Sequence, residues 1–166
     1  MVANERFDRA LKVSNARILS AVYFGLLAVV FTLGLDALFY VLGVFQVIPL
    51  FEGTLLAMFT ASVFGALFGE KIVHAHAPYK CRVFFWGWFM TILALPFYDL
   101  GLLYFFIQEH HEFITDMHFL NVFKLYGFVL LESFILVEFW LGFLAGLAAL
   151  YLRHRIIYYI YDSKDE

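Results

Sequence analysis

Charge is scarce in this chain. Only 15% of its 166 residues are Asp, Glu, Lys or Arg and 64% are apolar, where a water-soluble domain carries about a quarter charged residues. That balance excludes a water-soluble globular fold, and it excludes disorder, which needs high charge and few large apolar side chains. Cations are no more plentiful than anions: 11 Lys and Arg stand against 14 Asp and Glu, for a net charge of -3. With no basic surplus for phosphate contacts, nucleic acid is not an expected partner. Cys81 is the single cysteine, which rules out an internal disulfide, dithiol chemistry and a multi-cysteine metal site. Catalytic signatures are missing too. Ser14, Ser20, Ser62, Ser133 and Ser163 sit in no GxSxG-like elbow, and there is no Walker loop or dinucleotide fingerprint. What the chain has instead is a mean hydropathy of +0.85 and 21% aromatic residues, the composition of an integral membrane protein.

The gaps between basic residues mark the spans. From Arg17 to Lys71 there are 53 residues without Lys or Arg, from Arg82 to Lys124 there are 41, and from Lys124 to Arg153 there are 28. At about 20 residues per crossing, the first gap holds two helices and each of the others holds one. The predicted fold is an all-α membrane protein, a single domain of four transmembrane helices at about 18–44, 50–68, 83–107 and 122–152. A backbone in hydrocarbon has to satisfy its own N–H and C=O groups, and strands of alternating polarity are absent, so helices are required. Pro49 suits the first turn of the second helix, where a missing N–H costs nothing.

Ten of the eleven basic residues fall on one side of these spans and Lys124 stands alone on the other. By the positive-inside rule both termini and the central loop are cytoplasmic, as expected for a protein of the bacterial inner membrane. Tyr23, Trp86, Trp88 and Tyr151 near the inner ends, with Tyr40, Tyr104 and Tyr126 toward the outer ends, form matching aromatic belts. The first apolar stretch is far longer than a signal h-region, so it is expected to be retained. The preceding residues, Asn4 to Arg17, read either as an amphipathic lead-in on the inner leaflet or as a solvated cap.

Small residues identify packing faces. Gly53, Ala57, Ala61, Gly65 and Gly69 recur every fourth residue along the second helix, and Gly142 and Gly146 form a second seam in the fourth. Removing side-chain bulk along a stripe lets another helix approach closely, from within the chain or from another subunit.

The chemically informative feature is acid within the membrane. Asp36, Asp99, Glu132 and Glu138 fall inside spans that contain no Lys or Arg other than Lys124, with Glu52 near the start of the second. Counted from the ends of the spans, Asp36 and Asp99 lie ~12 Å and Glu132 ~15 Å below the outer surface, so three carboxyls on three helices are expected at one depth. Such a cluster is a candidate proton or cation site. Pro96 strengthens it, because a proline in the third helix cannot donate to the carbonyl of Ile92 one turn before Asp99. Two other readings remain open. Each acid can be neutral and hydrogen-bonded to a neighbour such as Tyr40, Thr91 or Tyr98, or it can meet a basic residue of a partner.

The outer loop is rich in imidazole and carboxylate. His110, His111, Asp116 and His118 are ligand types that suit Zn or Cu, although Thr115 breaks an HExxH pattern and Thr115 or Asp116 serves equally as a helix cap. His74 and His76, near Glu70, read more simply as a polar turn ended by Pro78 than as a metal site. The expectation from the whole sequence is a non-catalytic subunit of a larger membrane complex, in contact with the lipid bilayer and with other membrane subunits or copies of itself. The alternative is a homo-oligomeric proton- or cation-coupled carrier or channel using the intramembrane carboxylates. A lipid-active membrane enzyme is a third reading.

Overall fold

The computed structural model describes residues 13–43, 49–76, 78–109, 119–135 and 139–157. Every regular element among them is helical. The order is α1 (Ala16–Val41), α2 (Leu50–Val73), α3 (Tyr79–Glu109), α4 (Phe119–Ser133) and α5 (Phe139–Tyr151), which continues through a π-helical turn at Leu152–Ile156. α1, α2 and α3 contain 26, 24 and 31 residues, or roughly 36 to 46 Å of helix, and are long and apolar enough to cross a membrane. The fourth expected segment consists of two shorter helices of 15 and 13 residues. Positions 136–138 between them, Glu138 included, lie outside the described residues.

Helix ends differ from the sequence expectation in instructive ways. α2 continues past Phe68 to Val73, and α3 begins at Tyr79 ahead of Val83. Lys71 stands within the extension with its ammonium 4.2 Å from the Trp86 ring centroid and 5.4 Å from that of Phe68, a cation–π setting for a charge at the end of an apolar helix. Pro49 stands one residue before α2, with φ -55°, and its carbonyl accepts the Gly53 N–H at 3.2 Å. Pro96 lies inside α3, which remains helical on both sides of it.

Packing starts from the small residues. A Cβ on Gly65 would stand 2.8 Å from the Ser20 carbonyl oxygen, and one on Gly69 would stand 2.8 Å from that of Ala16. Only hydrogen at these positions lets the backbones of α1 and α2 come this close. α3 and α5 meet in the same manner. A Cβ on Gly87 would lie 2.8 Å from the Ala145 carbonyl oxygen, while Gly142 and Gly146 receive the rings of Trp88 and Phe84. α2 and α3 are joined by an aromatic layer in which Phe68 contacts Trp86 and Phe89, and Phe64 contacts Phe97. The Tyr23 hydroxyl then donates to the Ala148 carbonyl at 3.1 Å, linking α1 to α5.

These contacts define two ends. The proximal end carries the start of α1, the α2–α3 link and Ile157; the distal end carries Val41, Leu50 and Glu109. The buried apolar cluster belongs to the proximal half, built from residues such as Phe24, Ile72, Val83, Met90, Ala149 and Leu152. Toward the distal end α1 loses its cover: Leu38, Phe39, Val41 and Leu42 are exposed, and Tyr40 is 85% exposed.

Candidate functional site

Two polar groupings stand out against the apolar helices. The first fastens the proximal end. Arg153, at the π-helical turn, is 1% exposed; it donates to the Ala75 carbonyl and its guanidinium lies 4.2 Å from the Tyr79 ring centroid. A cation out of water needs both contacts, since each replaces part of the lost hydration. The imidazole Nε2 of His74 lies 3.0 Å from the Val13 carbonyl oxygen, and Arg17 pairs with Glu70 at 3.0 Å on the exposed rim. Glu70 and His74 therefore act as structural ties between the start of α1 and the end of α2.

The second grouping lies deep between α3 and α4. Asp99 is 4% exposed, and its Oδ2 accepts a hydrogen bond from the Ser133 hydroxyl at 2.5 Å. Three residues earlier on α3, the Pro96 carbonyl accepts the Tyr126 hydroxyl at 2.9 Å. Tyr126 and Ser133 are seven residues apart and thus share one face of α4. Buried polar groups in a helical membrane protein are retained where they find such partners, and here they hold a short helix to a long one.

The helix register places the other acids. Ala16 opposes Gly69 and Ser20 opposes Gly65, so the antiparallel pairing brings Asp36 level with the first residues of α2, close to the level of Glu52. Leu56 opposes Gly101 and Phe64 opposes Phe97, which sets Asp99 level with about position 58 of α2. Asp36 is thus roughly eight residues, ~12 Å, distal of Asp99. The common depth expected for these two carboxyls does not hold, because the α1–α2 crossing is fixed by the backbone approach at Gly65 and Gly69 and carries the end of α1 beyond the start of α2. Position 132 is next in sequence to Ser133 on α4; the Glu132 side chain, like Glu138, lies outside the described residues.

His110, His111, Asp116 and His118 also lie outside the described residues. Among the described residues no three His, Cys, Asp or Glu side chains gather to hold a metal ion. Gly53 and the half-buried Ala57 and Ala61 lie along α2, with the Tyr98 hydroxyl 3.9 Å from where a Gly53 Cβ would be. Two glycines off the seams, Gly34 on α1 and Gly127 on α4, have open space where a Cβ would be.

Sequence reasoning missed Arg153 and Ser133. Arg153 counted as one more basic residue of the inner rim, and only the return of α5 onto the α2–α3 link shows that it is buried. Ser133 reads in the sequence only as a nucleophile without an elbow; its seven-residue spacing from Tyr126 on one helix is the signal that points to it. No family model, curated protein or solved structure matches the chain.

Proposed function

We propose that the chain is a non-catalytic subunit of a larger membrane assembly, held in a bacterial inner membrane by four crossings. α4 and α5 together make the fourth. Both termini and the α2–α3 link face the cytoplasm, a reading supported by the described basic residues Arg17, Lys71, Lys80, Arg82, Arg153 and Arg155 at the proximal end.

The observation that carries the proposal is the unequal packing of the two ends. The proximal half has a closed core and polar ties, whereas the distal third of α1 is largely exposed and Gly34 and Gly127 have no described residue beside them. Small residues on a bare helix face are where another transmembrane helix approaches closely. A lone bundle gains nothing from leaving them there. Gentle detergent extraction followed by native mass measurement tests the reading. Unrelated chains retained in fixed stoichiometry are the expected result, and a 19.3 kDa monomer with lipid alone contradicts it.

A second reading rests on Asp99. A carboxyl with almost no exposure, hydrogen-bonded across two helices, supports a homo-oligomeric proton- or cation-coupled carrier that uses the intramembrane carboxylates, with Asp99 at its centre and Asp36 and Glu52 farther out. Flux in proteoliposomes followed with a pH dye, compared with the Asp99→Asn variant, distinguishes it from the subunit reading.

A further inference from the structure

Outside the bundle, the outward face of α3 near the proximal end carries a groove of about 310 Å³ lined by Phe85, Trp86, Trp88 and Phe89. One wall belongs to the α2 side, where Trp86 meets Phe68; the other belongs to the α5 side, where Trp88 lies against Gly142. Phe85 is exposed and leaves the groove open outward. Two basic residues lie toward its proximal side. The Lys71 ammonium is 4.2 Å from the Trp86 ring centroid, and Arg82 precedes Phe85, Trp86 and Phe89 by three, four and seven residues, on the same helical face. Neither cation forms an ion pair with a described carboxylate, because the neighbouring acid, Glu70, is bound to Arg17.

We propose that this groove binds one anionic phospholipid of the proximal leaflet, its phosphate between Lys71 and Arg82 and an acyl chain along Phe85 and Phe89. Two observations fix the ligand class. The Phe85 and Phe89 rings suit a hydrocarbon chain, and cations without a carboxylate partner at the membrane boundary attract an anionic headgroup. A zwitterionic lipid satisfies the groove and leaves the mouth charged. The inference rests on the chain residing in a bilayer and is independent of any partner subunit.

The test uses the full chain with Trp140→Phe, so that the groove tryptophans alone report, reconstituted alone in vesicles. Brominated-chain phosphatidylglycerol or brominated-chain phosphatidylcholine is added at equal mole fraction as the fluorescence quencher. Two cations predict on the order of tenfold local enrichment of the phosphatidylglycerol, seen as stronger quenching. Lys71→Gln with Arg82→Gln is expected to bring the quenching by the two lipids together, while the charge-keeping pair Lys71→Arg with Arg82→Lys retains the preference. Equal quenching in the starting protein overturns the proposal, as does a preference that survives the neutral pair or is abolished by an equal concentration of inorganic phosphate. Because no other chain is present, these outcomes are separate from those of the native mass experiment.

Discussion

The two ends of this bundle are built from the same kinds of residue but are held together differently. At the proximal end four helices close around Phe24, Ile72, Val83 and Leu152, and Arg153, His74 and Tyr23 tie them by bonds to main-chain carbonyls. Beyond the middle of the bundle α4 is attached through two side-chain hydrogen bonds, Tyr126 to Pro96 and Ser133 to Asp99, while the last turns of α1 are exposed. Hydrophobicity does not explain the contrast, since lipid tails satisfy an apolar side chain as well as another helix does. What separates the ends is close backbone approach and polar pairing, present at one and sparse at the other.

The contrast can be broken most forcefully at Arg153. Arg153→Met removes the donor to the Ala75 carbonyl and the cation over Tyr79, and is expected to lower stability by roughly 2–4 kcal/mol in a detergent unfolding titration. Next comes the α1–α2 crossing. Gly65→Val forces a Cβ against the Ser20 carbonyl and should cost about 1–3 kcal/mol by the same titration, with α1 separating from α2. Ser133→Ala, which breaks the bond to Asp99, is expected to cost about 1 kcal/mol and to loosen α4 selectively, seen as faster amide exchange in Phe119–Ser133 than in α1 or α2. The smallest effects belong to the bare glycines. Gly34→Val and Gly127→Val meet no described residue and should change the stability of the isolated chain by no more than about 0.5 kcal/mol, yet should reduce the yield of co-purifying chains.

The helical class and the three long apolar helices were legible because they follow from local composition: runs without Lys or Arg and small residues at fourfold spacing are visible in a linear text. Seam glycines could be found in the same way, but whether Gly65 faces α1 or a stranger is a tertiary fact. Depth was less legible. Counting residues from the span ends sets Asp36 and Asp99 at one depth, whereas the crossing at Gly65 and Gly69 sets the helices in a register that offsets them. Arg153 shows a further limit. Its burial depends on the Ala75 carbonyl and the Tyr79 ring, 78 and 74 positions away in the chain, and nothing in the sequence around position 153 distinguishes it from the exposed Arg155.

Photo-crosslinking in intact membranes addresses the central contrast directly. A benzophenone side chain is placed in turn at Gly34 and Gly127, which have no described residue beside them, and at Val22 and Leu67, which are exposed on the proximal half. The account predicts discrete adducts with a second protein from positions 34 and 127 and lipid adducts alone from 22 and 67. Lipid adducts alone from all four positions would contradict it.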